Sequence, residues 1–296
     1  MNPLVLDDLS ALIRRHHKAT NTLNTFPRLH LTYSEEPALS YSQLCEPMFA
    51  LVAQGSSSIT LGPRSIECSA GQCVVVPVDL PLTAYVTKAD LQRPFLGLGF
   101  RLDPAAIAAL ILESDPARPT VSDFSQGLTV SPLSLELLDP LVRLLRLADR
   151  PQDIPILAPA IERELLWRLM TGQQGKVVRQ IGLADGRLTR LNRVIRWIRS
   201  NFDRTLRISE MAGIADMSVT SFHRHFLRAT SLTPLQFQKQ IRLQEARMKL
   251  LSGALSAEEV CYSVGYSSPS QFSREYRRLF GRAPGAGRQS HKWGAT

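Results

Sequence analysis

The sequence has no apolar run near the roughly 18 residues that a membrane-spanning helix needs, so an integral helical membrane protein is not expected. Cysteine is scarce. The four residues Cys45, Cys68, Cys73 and Cys261 have irregular spacing that fits neither a disulfide framework nor a zinc motif. They read as reduced, mostly buried thiols of a cytoplasmic protein. Cys68 and Cys73 lack a basic neighbour in sequence that would lower a thiol pKa, which argues against a redox switch. Histidine is scarce too. Only His16, His17 and His30 fall in the first half of the chain, and no His-x-His with a Glu stands in the strand-like region, so neither a metal nor an enzyme built on one is expected. Gly-x-Ser-x-Gly and phosphate-binding Gly-Lys-Ser/Thr signatures are missing, and Gly97-Leu98-Gly99 falls short of a dinucleotide fingerprint. The first twenty residues carry Asp7 and Asp8 and are amphipathic, unlike a secretory signal.

What is present is a soluble balance of 44% hydrophobic and 21% charged residues over 296 positions, a length that suggests about two domains. The net charge of +9 is unevenly placed. Residues 187–296 hold 19 Lys+Arg against 7 Asp+Glu, a net of +12, and the preceding 186 residues have a net of −3. A polyanion-binding module joined to an unlike domain fits this asymmetry. Arg exceeds Lys in the basic third by 16 to 3, which favours bidentate contacts to phosphate or guanine.

Periodicity predicts a helix over residues 3–18, then a compact antiparallel β unit. Its runs are 48–55, 58–62, 72–78, 82–87 and 95–102, punctuated by Gly62-Pro63 and Ala70-Gly71, with no helix-length crossover between them. A helix is expected from Asp103-Pro104 to Leu112, a loop over 114–132, and two Leu-rich helices over 134–148 and 156–170. The first of these two places Leu135, Leu138, Leu141, Val142 and Leu145 on one face. They read equally as intradomain core or as the interface of a homodimer. Residues 171–187 are polar, with four glycines and no clear period, and read as the linker, taken as 172–187 between a first domain of 1–171 and a second of 188–288.

The basic third contains an internal repeat. Ser218, Phe222, Arg224, Phe226 and Pro234 recur fifty residues later as Ser268, Phe272, Arg274, Tyr276 and Pro284. Ala212 and Met217 pair with Cys261 and Tyr266 at an offset of 49, so the second copy has one extra residue in its turn. Each copy, over 208–229 and 256–280, reads as helix, tight turn and helix. Asp216 and Gly265 stand at the turns, and Ser218 and Ser268 serve as N-caps. Such a layout sends the second helix of each copy into a major groove by its N-terminal half. The 18-residue helix expected over 234–251 would span about 27 Å and, with its flanking turns, hold the two recognition helices about one turn of B-DNA, roughly 34 Å, apart.

The outward residues are then candidate contacts. Arg224 and Arg274 are the leading base readers, because an Arg bidentate to guanine gives the commonest specific contact. Thr220, His223, Ser270 and Gln271 flank them, and Arg207, Arg228, Lys239, Arg277 and Arg278 are candidate phosphate contacts. His225 points away from His223 and reads as structural. In the β unit, Tyr33, Gln54, Tyr85 and Arg101 are polar groups able to line an effector pocket.

Residues 188–288 resemble the DNA-binding domain of the AraC/XylS family of bacterial transcription regulators. The resemblance rests on 242–252 (RLQEARMKLLS) and 264–284 (VGYSSPSQFSREYRRLFGRAP). Ser231 departs from the family pattern, which usually has Gly there, and Gly287 replaces a usual aromatic. Residues 20–170 resemble the family's cupin-like N-terminal module through LVAQGSSSITLG, SAGQCVVVPVDLPL and FLGLGFRLDP. The resemblance implies an α+β chain, with an N-terminal cupin-like β-barrel with helices and a C-terminal all-α tandem helix-turn-helix domain. It also implies sequence-specific binding to double-stranded promoter or operator DNA, with a small-molecule effector, a homodimer and RNA polymerase as further possible partners and no membrane. The competing readings are a cupin-like enzyme with a DNA-binding appendage and a sequence-blind architectural DNA binder.

Overall fold

The computed structural model describes residues 3–17, 26, 28–114, 128–183 and 187–284. It divides into two compact units, residues 1–192 with 228–231, and residues 193–227 with 232–296.

The first unit opens with helix α1 (Pro3–His16) and continues through eight strands: β1 (Leu29–Ser34), β2 (Leu39–Cys45), β3 (Met48–Gln54), β4 (Ser56–Leu61), β5 (Arg64–Ser69), β6 (Gln72–Val76), β7 (Leu80–Lys88) and β8 (Phe95–Arg101). Helix α2 (Pro104–Ser114), the short strand β9 (Val130–Pro132), and helices α3 (Leu135–Arg146), α4 (Ile154–Thr171) and α5 (Gly175–Gly182) follow. The expected β unit is built of two antiparallel sheets, ordered β1-β8-β3-β6-β9 and β2-β7-β4-β5. Gly62 and Gly71, at the hairpin turns, adopt φ of 60° and 79°, the left-handed region that glycine enters without a Cβ clash.

Alternation along the strands decides which side chains meet. Phe49, Leu51 and Ala53 of β3, with Leu96, Leu98 and Phe100 of β8, join Leu9 and Ile13 of α1 and the apolar faces of α2–α5 in one core. Burial of each such large side chain contributes about 1.5–3 kcal/mol. A smaller cluster holds Val52, Cys68, Val86 and Phe95. At the mouth of α2, Asp103 Oδ1 accepts from the Ala105 backbone N–H at 2.9 Å, as expected of an N-cap.

Several expectations are revised. The segment 171–187 is not irregular throughout. Helix α5 forms within it, and Val178 and Ile181 are buried in the main core. Its glycines mark close packing: a Cβ on Gly182 would lie 2.7 Å from the backbone nitrogen of Ala108, and one on Gly175 2.2 Å from the carbonyl oxygen of Met170. Leu135, expected on the buried face of α3, is 48% exposed, and Leu137 and Leu144 face the core instead, so the apolar stripe is wider than five positions. Strand β9 occupies the end of the expected loop 114–132, of which 115–127 lie outside the described residues.

The second unit is helical and takes in the greater part of α6 (Arg187–Ser200) and α8 (Val219–Thr230), together with α7 (Ile208–Ile214), α9 (Pro234–Ser252), α10 (Ala257–Ser263) and α11 (Pro269–Phe280). Helix α9 is 19 residues long and starts in a capping box. Thr233 Oγ1 accepts from Gln236 N, and the Gln236 side chain accepts from Thr233 N. It ends at Gly253, φ 73°, and Gly281, φ 72°, closes α11 in the same way. Phe222, Phe226 and Phe237 are fully buried and pack with ring centroids 5.3 and 5.4 Å apart. A matching cluster holds Val260, Cys261, Tyr266, Phe272 and Tyr276 in the second half. Gly287 and Arg288 lie outside the described residues.

Candidate nucleic-acid interface

The internal repeat persists at the level of single hydrogen bonds. In the first copy, Met217 N donates to Ala212 O at 3.0 Å and Asp216 N to Gly213 O at 3.0 Å. In the second, Tyr266 N donates to Cys261 O at 3.1 Å and Gly265 N to Tyr262 O at 3.0 Å. These are paired Schellman turns, with Asp216 (φ 53°) and Gly265 (φ 83°) as the left-handed residues. A helix that ends this sharply can redirect the chain into a second helix within a few residues. The second helices also start alike. Ser218 Oγ accepts from Ser221 N and Ser268 Oγ from Gln271 N, both at 3.3 Å. The extra residue of the second copy, Ser267, sits between turn and cap.

Helices α8 and α11 each bury an aromatic stripe and turn the opposite face outward. Thr220 and Arg224 on α8, and Ser270, Gln271 and Arg274 on α11, are exposed, and His223 is half-buried beside Phe222. On α11, Ser270, Ser273, Arg274, Arg277 and Arg278 line one open depression. Arg277 and Arg278 also stand in the last turn, where cations complement the helix dipole. Arg207 is exposed at the N-cap position of α7, and Arg228 is half-buried in the last turn of α8.

Lys239, a candidate phosphate contact, has an acidic partner. Its Nζ donates to Glu275 Oε1 at 2.9 Å, and its side chain remains 40% exposed. Glu275 is 7% exposed, and its other oxygen accepts from the Tyr266 hydroxyl at 2.8 Å. Gln271 Nε2 donates to Glu275 Oε1 at 3.2 Å. Burial alone would raise the Glu275 carboxyl, but the hydrogen bonds from Lys239, Tyr266 and Gln271 outweigh it and hold the group below its usual value. The same carboxylate and its own burial push the Tyr266 phenol up, burial being the larger cause.

The connecting helix contributes a second polar tie. Arg242 donates to the carbonyl oxygens of Phe202 (2.6 Å), Gly265 (2.7 Å) and Arg204 (3.1 Å). Gln238 Nε2 reinforces it through Phe202 O at 2.8 Å and Arg204 O at 2.6 Å. The sequence reading named neither Arg242 nor Glu275 as an individual site. A signal for Glu275 was available, since a charge between Phe272 and Leu279 on the buried face of a helix needs partners.

The four candidate effector residues of the β unit do not gather. Tyr33 and Gln54 lie in one row across β8, both opposite Leu96. Tyr33 stacks on His17 with centroids 4.0 Å apart and donates to Glu35 at 2.8 Å, while Gln54 Nε2 donates to the Pro94 carbonyl at 2.7 Å. Tyr85 is 45% exposed on the other sheet, and Arg101 pairs with Glu46 on the surface at 3.2 Å. Cys68 and Cys73 are buried. The Cys68 thiol is pushed up to about 12 by burial and by its neighbour Cys73. Among the described residues, no group of three or more His, Cys, Asp or Glu is placed to share a metal ion, and no helix is long and apolar enough to cross a membrane.

Two capped helix-turn-helix motifs braced by one helix, on a chain that also carries a β-sheet module, define a transcription regulator that binds DNA. The chain belongs to the AraC/XylS family. The AraC-type transcriptional regulator N-terminus matches residues 25–177 and a helix-turn-helix domain matches residues 211–290. Among bacterial relatives, the Msm operon regulatory protein of Streptococcus mutans is 24% identical over 246 residues, covering 79% of this chain and 80% of that protein. The transcriptional activator NphR of a Rhodococcus species is 26% identical over 292 residues, covering 94% of this chain and 83% of that protein. The fold is similar to wild-type ToxT of Vibrio cholerae with a bound unsaturated fatty acid, at a TM-score of 0.58, 12% identity, and coverage of 87% and 92% of the two chains.

Proposed function

We propose that the protein is an effector-responsive regulator that reads two half-sites of an operator through α8 and α11. Arg224 and Arg274 take base edges, flanked by Thr220, His223, Ser270 and Gln271. Arg207, Arg228, Arg277 and Arg278 take phosphates. The observation that carries the reading is the pair of matched, capped turns, each leading into a helix with an exposed Arg at the same repeat position. A phosphate-only role for Arg224 and Arg274 would need no such duplicated presentation.

The first unit is the receiver of the signal in this reading. ToxT, similar in fold, has been solved with an unsaturated fatty acid, which supports a small molecule as the signal class here. Leu135, Ile156, Leu157 and Trp167 expose apolar surface on α3 and α4, and this supports pairing of two first units in a homodimer. The protein then acts in the cytoplasm, on promoter DNA and in reach of RNA polymerase, without catalysis of its own. The names of its relatives as regulators and activators support that part. The test is an operator-binding assay on the full-length protein with and without fractionated small-molecule extracts. A fraction that shifts the apparent Kd supports effector control. Identical binding across all fractions removes its basis.

A further inference from the structure

We propose that Glu275 is a positioning residue for base reading. Its carboxylate fixes the side-chain amide of Gln271, so that the second recognition helix presents one acceptor and one N–H of defined orientation to the DNA. The proposal rests on the reading of Gln271 as a base contact.

An ionised carboxylate accepts hydrogen bonds and donates none. Facing Glu275 at 3.2 Å, the Gln271 amide must therefore turn its Nε2 inward, since Oε1 in that place would set two acceptors against each other. One N–H is used on Glu275, which leaves Oε1 and the second N–H for a ligand. That acceptor–donor pair complements the N6 amino group and N7 of adenine in the major groove. A free glutamine turns its amide either way and pays entropy to settle; one already held by its neighbour does not.

The device requires Glu275 to stay charged and still. Lys239 reaches it from α9 and the Tyr266 hydroxyl from the turn, so three elements converge on one buried carboxylate. The first copy of the repeat has no equivalent. Glu275, Gln271 and Tyr266 correspond there to His225, Ser221 and Met217, which cannot reproduce an acceptor-only anchor with these donors. The two half-sites are accordingly read by different chemistry.

The experiment selects bound sequences from randomised duplex pools with full-length wild type, Gln271→Ala, Glu275→Gln and Lys239→Met. Wild type is expected to show one adenine-preferring position in the half-site read by α11. Gln271→Ala is expected to flatten that position alone, by roughly ten-fold. Glu275→Gln, whose amide both donates and accepts, is expected to flatten the same position and to spare the one read by Arg274. Loss spread evenly over the half-site would mark Glu275 as merely structural and overturn the proposal. An unchanged Gln271→Ala profile would sink the base-reading role itself. A flattened Gln271→Ala profile beside an unchanged Glu275→Gln profile would overturn only the positioning. If Glu275→Gln does not fold, Lys239→Met decides. Flattening of the adenine-preferring position alone, once the carboxylate has lost its charged partner, supports the positioning, and an unchanged profile contradicts it.

Discussion

Arg242 Nη1 donates to the carbonyl oxygen of Gly265 at 2.7 Å, which ties the connecting helix to the turn of the second helix-turn-helix. The same guanidinium holds Phe202 O and Arg204 O, so one planar fork satisfies three carbonyls from two chain segments. Arg242→Met is expected to cost about 2–4 kcal/mol by denaturant unfolding, because it leaves these acceptors without their charged donor. Arg242→Lys should recover only part, since an ammonium cannot span the same fork. Full recovery by lysine would show that geometry contributes little.

Gly265 itself admits no side chain. Its φ of 83° disfavours L-residues, and an added Cβ would lie 2.0 Å from the Asp203 carbonyl oxygen. Gly265→Ala is expected to destabilise the second unit by at least about 2 kcal/mol. Asp216, at the corresponding turn of the first copy, already carries a side chain at φ 53°, and Asp216→Gly should stay within about 1 kcal/mol of wild type. Equal tolerance at the two turns would contradict the close approach to Asp203. Thermal unfolding of the two variants gives the comparison.

These two turns also show how far the sequence could be read. The repeat, the caps and the left-handed turn at Asp216 were legible because they depend on local chemistry at fixed spacing. Strands β1, β2, β5 and β9 were not individually legible. Only one residue of β5, Cys68, is buried, and β9 has three residues, so neither offers much alternation to detect. Helix α5 was hidden because its glycines mimic a linker and reveal their purpose only against Met170 and Ala108. On the outward faces of α8 and α11, the residues expected to be exposed are so, except His223, which is half-buried. The sequence could not tell that Lys239 pairs with Glu275, because the two lie 36 residues apart.

Acid should weaken the second unit through Glu275. Its carboxyl is held below its ordinary value of 4.5 in the folded chain, so folding favours the deprotonated form. The resulting stabilisation is complete above that ordinary value and is lost as pH falls through the folded one. Wild type should therefore lose more stability than Glu275→Gln as pH is lowered from about 6 to 3. Parallel curves for the two proteins would show that the carboxylate is not stabilised on folding.

Thiol chemistry gives an independent check on the first unit. All four cysteines are buried thiols outside any disulfide, and burial raises the Cys68, Cys73 and Cys261 thiols. Iodoacetamide at pH 8 should leave the native protein almost unlabelled and modify all four sites once it is unfolded. Rapid native labelling of Cys68 or Cys73 would reopen a redox role for that pair.

The central claim is that two equivalent arginines read bases in two grooves. Its most direct measurement is selection of randomised duplex DNA by the wild-type protein beside Arg224→Ala and Arg274→Ala. The account predicts two recognition blocks about 10 base pairs apart in the wild-type profile, with each substitution relaxing one position in a different block by about 1–3 kcal/mol. A profile without two blocks, or an equal loss on every sequence for both variants, would contradict it.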